Sequence, residues 1–404
     1  MHDPHPFFRY TSEVLAWRLG DAPEGVSPSA PEAARVAGQV DRVVRHAAGR
    51  RDVVVLGLGA GAFAAALAAA LPETVSLTVL CARPESARSL AAAGRLDWVR
   101  PDGNRQLVAD TSSMAFFCLL AGAGLVPDAT LVTVNPELTD PDERRELERW
   151  RRMFLGSRPA GEAVTGEDSP PPSVCLAVLA RARTPDLAGF FAAAAGLADR
   201  AVVLWDAGGV PEASRAAEAL DMPVVHLARR LENDFAAQRN ALLAACQGDW
   251  VLSLDPDERP GPGFAAALRR ITALPDAGGA LFPRLTLYPD PQRVKVGYGL
   301  WPDVQLRLFR RTPPGAPRYV RPVHERLEGL AGRAVLALDA PLFHYNRLQA
   351  DPEAVAAKLA GFDAAAGRPT HHLSADYPTL PLDFFALPSG LPPGGRVLLL
   401  PPLW

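Results

Sequence analysis

Three acidic residues directly follow a short apolar segment in the second half of the chain. The segment Trp250–Leu254 reads WVLSL, and Asp255, Asp257 and Glu258 come after it in the order DPDE. Carboxylates this close repel one another, so they stay ionised together only beside a cation or hydrogen-bond donors. Hard oxygen ligands suit Mg²⁺ or Mn²⁺, which bind one or two carboxylates together with substrate phosphates. The triplet therefore predicts a metal-bound diphosphate, although D-x-D is short and also occurs in solvated acidic turns.

The segments in front of the acids predict how they are positioned. A helix is expected after Asn233 or Asp234, either of which can serve as its N-cap, and Gly248 lies just past its end. The strand that follows is too apolar to be an exposed edge, so it should run inside a sheet. Ligands of open α/β sheets bind beyond the carboxyl ends of the strands, which is where the acids are expected.

Strand-like and helix-like segments alternate along most of the chain, a pattern typical of parallel sheets covered by helices. The strand-like segments are VVVLGL, VSLTVLC and TLVTVN, then VCLAVLA, AVVLWDAGG, PVVHLA and WVLSL, with expected helices such as PEASRAAEAL between them. The predicted fold class is α/β, with a divergent Rossmann-like domain at 1–155. A linker rich in Gly, Pro, Ser and acids is predicted at 156–173. A second α/β domain is predicted at 174–350, and a C-terminal helix and Pro-rich tail at 351–404.

A cluster of glycines follows the first predicted strand. VVVLGLGAG places Gly57, Gly59 and Gly61 between a strand and a helix, which lets backbone N–H groups approach a phosphate. However, the spacing is G-x-G-x-G, so the third glycine of the dinucleotide-binding motif G-x-G-x-x-G is not in its usual place. Cys81 also stands where a carboxylate would hold a ribose hydroxyl. The cluster is expected to be a tight turn in a scaffold. A nucleotide- or S-adenosylmethionine-dependent enzyme that uses this turn is the alternative.

The composition argues against several classes of protein and site. A net charge of -3 gives no basic surface for a nucleic-acid backbone. The four cysteines are scattered and form no CxxC or Cys/His pair, which argues against zinc and disulfides. They are expected to be buried reduced thiols of a cytosolic protein.

The sequence also predicts where the protein works. The stretch 53–72 carries no charge, but its Ala and Gly content favours strand, turn and helix over a transmembrane segment. The first ten residues, MHDPHPFFRY, lack the basic and apolar regions of a signal peptide. A cytoplasmic location is therefore expected, with the inner face of the membrane as the alternative. Any membrane contact would have to be peripheral.

Four blocks in the second half resemble the family 2 glycosyltransferases of the GT-A fold. More narrowly, they resemble the bacterial branch related to lipopolysaccharide-core transferases. The blocks are DFAAQRNALLAACQGDWVLSLDPDE, WPDVQLRLFRR, RYVRPVHERL and PLFHYN, and they occur in the expected order within 174–346. The resemblance implies a GT-A-type domain for nucleotide-diphospho-sugar transfer, with a mixed, mainly parallel sheet.

The resemblance implies nucleotide and metal contacts for five residues. Asp206 matches the family's acid that holds the nucleotide base or ribose. Arg239 and Asn240 match an R-N pair that lies near the nucleotide. Asp255 and Asp257 match the D-x-D motif, and Asp257 is the favoured metal ligand of the two.

Further roles come from the later blocks. Glu325, in PVHERL, is the favoured catalytic base, and Asp303, in WPDVQLRL, is its rival. His344 is expected to approach the metal or the diphosphate, and Arg307 or Arg310, in LRLFRR, to neutralise charge on the leaving group. His324 is expected to orient the acceptor or contact phosphate, unless it is a structural hydrogen-bonding residue.

The implied reaction is metal-assisted transfer of a sugar from a nucleotide-diphosphate donor by a single, inverting displacement. The acceptor is expected to be a glycan, a lipid-linked glycan or a protein of the bacterial cell envelope. The implied cofactor is a divalent metal, Mn or Mg, and the nucleotide sugar is a substrate. Tyr298 and Trp301, in KVGYGLWPD, are expected either to form an acceptor lip or to pack in the core.

Two segments depart from the family's pattern. The first strand of the domain continues as AVLARARTPD, where a Thr/Asn-rich turn is usual. The turn after Asp206 reads AGGVPE, where a Gly-Ser/Thr-Asp run is usual. The alternative function is therefore a non-catalytic binding or scaffold protein built on a degenerate transferase domain.

Overall fold

The computed structural model describes residues 4–17, 33–161, 171–232, 234–311, 317–322, 325–349, 353, 377–386 and 396–402. The predicted α/β fold class is confirmed, because helices and strands alternate along both halves of the chain. None of the helices in these ranges is long and apolar enough to cross a membrane. Most of the predicted C-terminal helix and tail lies outside the described residues.

The helices and strands follow in chain order. The helices are α1 Pro6–Ala16, α2 Ala33–His46, α3 Ala62–Ala70, α4 Pro84–Ala92, α5 Ser113–Gly122, α6 Pro141–Gly156, α7 Leu187–Ala194, α8 Phe235–Ala245, α9 Phe264–Thr272 and α10 Asn346–Gln349. The first ten strands are β1 Asp52–Leu56, β2 Ser76–Cys81, β3 Arg105–Ala109, β4 Thr130–Val134, β5 Arg158–Pro159, β6 Val174–Ala180, β7 Arg200–Trp205, β8 Val224–Ala228, β9 Trp250–Leu254 and β10 Glu258–Pro260. The others are β11 Ala277–Thr286, β12 Arg293–Lys295, β13 Asp303–Arg310, β14 Arg318–Val320, β15 Arg326–Glu328, β16 Arg333–Ala337, β17 Leu342–His344, β18 Thr379–Pro381 and β19 Val397–Leu399.

The chain divides into two compact units. Unit 1 contains 1–157, 290–302 and 366–387, and unit 2 contains 158–289, 303–365 and 388–404. Within the described part of unit 1, a parallel sheet has the strand order β3-β2-β1-β4. β1 and β3 are buried along their whole length, as expected for a parallel sheet covered on both faces.

Unit 2 is built on a larger mixed sheet with the order β5-β19-β16-β11-β13-β9-β6-β7-β8. The strands β9, β6, β7 and β8 are mutually parallel, while β13 runs antiparallel between β9 and β11. β9 is thus an interior strand with every residue buried, as its apolar sequence predicts. Asp234 caps α8 by accepting a hydrogen bond from the backbone N–H of Ala237, which settles the choice between the two N-cap candidates.

Four elements differ from the expectations. β3 and α5 were not expected from the sequence. Arg105 and Gln106 interrupt the apolar pattern of β3, although both residues are buried in the structure. The segment Glu212–Leu220 is a 3₁₀ helix rather than an α-helix. In the predicted irregular tail, Val397–Leu399 forms a strand that pairs with β16 and β5 in the main sheet of unit 2.

Candidate functional site

Asp255 lies at the carboxyl end of β9 and is held by two arginines. Its Oδ1 accepts a hydrogen bond from Arg239 on α8 at 3.2 Å, and its Oδ2 accepts one from Arg307 on β13. Burial alone would raise the pKa of Asp255, but the charges of Arg307 and Arg239 lower it well below its ordinary value. Asp255 is therefore an ionised carboxylate with a guanidinium group on each oxygen.

Glu258 is fully buried, with 0% of its side chain exposed, and also pairs with arginines. Its Oε1 accepts hydrogen bonds from Arg307 at 2.6 Å and from Arg284 on β11 at 3.2 Å. Its Oε2 accepts one from the backbone N–H of Asp255 at 3.1 Å. Glu258 therefore fixes two guanidinium groups and the turn that carries Asp255.

These contacts supply the cations and hydrogen-bond donors that the adjacent acids were expected to need. The pairs with Arg239, Arg307 and Arg284 relieve the repulsion between Asp255 and Glu258. Both oxygens of Asp255 accept guanidinium hydrogen bonds in this arrangement, and its role as a metal ligand stays a prediction.

Asp257 is oriented differently from its two acidic neighbours. Its Oδ2 lies 3.4 Å from Nε2 of His344, at the end of β17. Nδ1 of His344 lies 3.1 Å from the hydroxyl of Thr286, which fixes the plane of the ring. Burial would raise the pKa of Asp257, but the hydrogen bond and charge of His344 bring it below its ordinary value. Asp257 and His344 are the two expected metal ligands that the structure brings together.

Asp257 and His344 can be compared with the ligand sets that divalent ions require. The described residues contain no group of three His, Cys, Asp or Glu side chains with metal-ligand geometry. Magnesium and manganese sites need only one or two protein ligands when phosphate oxygens and water complete the shell. The carboxylate of Asp257, 34% exposed, and the ring of His344 fit such a site.

Both candidates for the catalytic base are ion-paired. Oε1 of Glu325 accepts a hydrogen bond from Arg239 Nε at 2.6 Å. Asp303 pairs with Arg284 at 2.5 Å and also accepts from the amide of Gln305. Arg239 thus joins Glu325 to Asp255, and Arg284 joins Asp303 to Glu258. Four acids and three arginines form one continuous chain of ion pairs.

Asn240 makes a structural contact with Tyr319. Its amide donates to the carbonyl of Tyr319 at 2.9 Å and accepts from the N–H of Tyr319 at 2.8 Å. This pair of hydrogen bonds fastens α8 to β14. The expectation that Asn240 lies near the nucleotide stays a prediction, since these two bonds leave one N–H of its amide available.

Asp206 follows β7 at the same edge of the sheet as Asp255. Its Oδ1 accepts from the backbone N–H of Leu231 at 2.9 Å, and its Oδ2 accepts from Arg181 at 3.0 Å. Arg181 comes from the turn that departs from the family's pattern. The departure thus places a guanidinium group on the acid expected to hold the base or ribose.

The remaining expected residues are His324, Tyr298 and Trp301, and one residue of the ion-pair network, Arg284, was not expected. His324 lies outside the described residues. Tyr298 and Trp301 pack in unit 1, where the hydroxyl of Tyr298 donates to the backbone carbonyls of Val14 and Trp17. Trp301 is buried in a tilted contact with Tyr10, whereas Tyr298 is only partly buried. Arg284 could not be identified from the sequence, because the single arginine in LFPRLTL is not part of any recognisable motif. The other two arginines of the network did carry a signal, Arg239 in the R-N pair and Arg307 in LRLFRR.

The four cysteines follow their prediction, since Cys81, Cys118, Cys175 and Cys246 are all buried free thiols.

Comparison with known proteins gives matches among solved structures. No family model matches the chain, and no curated protein does. Among solved structures, the chain is similar to S. aureus TarS, with 12% identity over 34% of this chain and 28% of that one, at a TM-score of 0.26. It is also similar to S. aureus TarS 1-349, alone and in complex with UDP, at 13% and 15% identity and a TM-score of 0.24 in each case. These matches cover 34% of this chain and 47% and 46% of the TarS 1-349 chains, so the chain spans less than half the length of each.

Proposed function

We propose that unit 2 is a glycosyltransferase that moves a sugar from a nucleotide-diphosphate donor to a glycan, lipid-linked or protein acceptor. The observation that carries this proposal is the placement of Asp257 and His344 beside the Arg239–Asp255–Arg307 ion pairs. Metal-ligating and anion-binding groups thus adjoin at the carboxyl end of β9, where open α/β sheets bind ligands. The order of the four sequence blocks supports the same assignment.

The arginines are suited to a diphosphate. Arg239 and Arg307 are only 12% and 7% exposed, so their charges are weakly screened by water. A guanidinium group binds phosphate with two parallel hydrogen bonds, as it binds a carboxylate. A donor diphosphate competes with Asp255 for these groups, and Asp255 is then free to accept hydrogen bonds from donor hydroxyls.

Asp257 and His344 are the residues that would hold a divalent metal. Bound there, the ion would neutralise charge that develops on the departing diphosphate. The hydrogen bond between His344 and Thr286 orients Nε2 toward Asp257 without any ligand. This chain's own contribution is therefore a pre-oriented pair of ligands with a guanidinium pair beside it.

Glu325 is the proposed base for the acceptor hydroxyl. Its link to Arg239 places it on the same guanidinium group as Asp255, next to the proposed donor position. A general base must lie within hydrogen-bond reach of the proton it removes, and inversion requires it on the face opposite the leaving group. Asp303 is the second candidate, held by Arg284 on the other side of Glu258.

A donor screen tests this function. The protein is incubated with a panel of nucleotide sugars, with and without Mn²⁺, and release of nucleoside diphosphate is measured beside the thermal shift. We expect metal-dependent release or stabilisation with one nucleotide class. The absence of both with every donor and metal contradicts donor binding.

A non-catalytic binding role is the second candidate, and one observation favours it. Asp255, Glu258, Asp303 and Glu325 all have arginine partners within the protein, so these acids are paired without an external ligand. In that case a nucleoside diphosphate still stabilises the protein, but no donor is hydrolysed or transferred. The same screen separates the two functions.

A further inference from the structure

The glycine turn of unit 1 plays no part in the proposed reaction, yet its backbone is arranged to bind an anion. Gly57, Gly59 and Gly61 all have positive φ angles, and α3 begins directly after them. The N-cap, Gly61, has no side chain to accept from the first N–H groups of α3. These N–H groups and the helix dipole together favour a negative charge at this point.

The side chain of Glu137, from the segment after β4, lies at this point. Oε1 accepts a hydrogen bond from the backbone N–H of Phe63 in the first turn of α3, at 3.3 Å. Oε2 is buried and has no hydrogen-bond partner among the described residues. The whole residue is only 5% exposed. Burial raises the pKa of Glu137, while the N–H groups of Phe63 and Gly61 oppose that rise.

Neighbouring residues fix Glu137 in the turn. The amide of Asn135 donates to the carbonyls of Gly57 and Leu58 at 3.0 and 2.9 Å, and its oxygen accepts from the N–H of Glu137. A Cβ on Gly59 would lie 2.4 Å from Cβ and 3.0 Å from Oε2 of Glu137. Gly59 must therefore be glycine because the glutamate fills the space in front of it.

The opposite end of α3 has the complementary charge. Arg105, at the start of β3 and 5% exposed, donates to the carbonyls of Ala68, Leu71 and Pro72 at the C-terminal end of the helix. α3 itself reads AFAAALAAA and carries no charged residue. An acid at the N-terminus and a base at the C-terminus both stabilise a helix through its dipole.

We propose that the Gly57–Gly61 turn is an internal anion site whose resident ligand is the carboxylate of Glu137. The turn therefore does not take the phosphate of a dinucleotide, because Glu137 occupies the position that a phosphate would need. The inference concerns unit 1 alone and does not depend on the function proposed for unit 2. It also gives Glu137, which belongs to none of the sequence motifs described above, a role at the Gly57–Gly61 turn. That turn has no part in the proposed reaction.

Chemical rescue tests the proposal. Glu137→Ala removes Cγ and the carboxylate, which together correspond to acetate. We expect the variant to melt roughly 3–8 °C below wild type in chloride buffer, from the loss of a buried, helix-capping contact. Acetate should recover part of this loss with a saturating concentration dependence, whereas equal ionic strength of chloride should not. The control is Glu73→Ala, an exposed acid in the same unit, whose melting temperature should not respond to acetate.

Two results would overturn the proposal. One is an acetate effect that is equal in Glu137→Ala, Glu73→Ala and wild type, or absent from all three. The other is stabilisation of wild type by NAD or S-adenosylmethionine that Glu137→Ala abolishes, because it would place an external ligand in the turn. If Glu137→Ala is insoluble, its refolding yield in acetate and in chloride gives the same decision: a higher yield in acetate supports the proposal, and equal yields contradict it.

Discussion

Oδ2 of Asp257 lies 3.4 Å from Nε2 of His344, and the backbone fixes this approach. β10 pairs with β17 so that Glu258 is opposite His344, and the carbonyl of Asp257 accepts a hydrogen bond from the N–H of Tyr345. The two side chains therefore face each other because of strand register rather than through a flexible loop. This makes the pair a defined target for mutation.

Replacing either side chain should remove metal-dependent stabilisation. For Asp257→Ala and His344→Ala we expect at least about a tenfold higher Mn²⁺ concentration to be needed for the same rise in melting temperature in the presence of a nucleoside diphosphate. Asp276→Ala, an exposed acid of the same unit, should keep the wild-type response. An unchanged response in Asp257→Ala would remove Asp257 from the metal site.

The buried network should be costly to break at Arg307. Arg307→Gln leaves Glu258 fully buried without one of its two charged partners, so we expect a loss of about 3–5 kcal/mol in the free energy of unfolding. Urea unfolding measures the difference. Arg215→Gln, which breaks the exposed pair with Glu212, should cost at most about 1 kcal/mol. Similar losses in both variants would mean that the network is not buried in solution.

The acid–base assignment predicts different effects on binding and turnover. Glu325→Gln should lower the transfer rate by about 10²–10⁴-fold while donor binding persists, because general-base catalysis contributes on that scale. Asp303→Asn should lower the rate less. Initial rates and thermal shifts with the donor identified by the screen measure the two effects. A larger loss of rate in Asp303→Asn would exchange their roles.

Asp110 predicts a pH dependence for the stability of unit 1. Burial raises the pKa of Asp110 to about 6, despite the hydrogen bond that it accepts from the hydroxyl of Tyr10 at 2.5 Å. A carboxyl group whose pKa is raised by folding favours the folded state at low pH. This stabilisation is lost as the pH rises from about 4 through about 6. We expect a loss of about 3 kcal/mol relative to an Asp110→Asn variant over that window.

Urea unfolding of wild type and Asp110→Asn between pH 4 and 8 tests this expectation. Comparing the two proteins at each pH cancels the other titrating groups. A stability difference that does not vary with pH would mean that Asp110 titrates at its ordinary pKa.

Local patterns in the sequence predicted the frame of the site. The apolar run at 250–254 identified an interior strand, and Asp234 was one of two predicted caps for the helix in front of it. Both features depend on neighbours within a few residues, which periodicity and capping rules describe well. The position of the acids at the carboxyl end of β9 follows from these two features.

The partners of those acids were not predictable in the same way. Arg307 lies 52 residues from Asp255, and Arg284 lies 26 residues from Glu258. Such ion pairs depend on which strands adjoin in the sheet, and the chain order does not state this. The same reason hid Glu137, which reaches Phe63 across 74 residues. The buried Arg105 also concealed β3, because a charged residue breaks the apolar pattern of a covered strand.

The arrangement around α3 has a consequence for folding. The groups that satisfy its two ends come from Glu137 and Arg105, 74 and 37 residues along the chain from their partners Phe63 and Ala68. A nine-residue helix with no side-chain cap of its own is too short to persist alone in water. α3 should therefore gain lasting order only once β3 and β4 have joined the sheet. Its appearance would then mark completion of the sheet rather than an early local event.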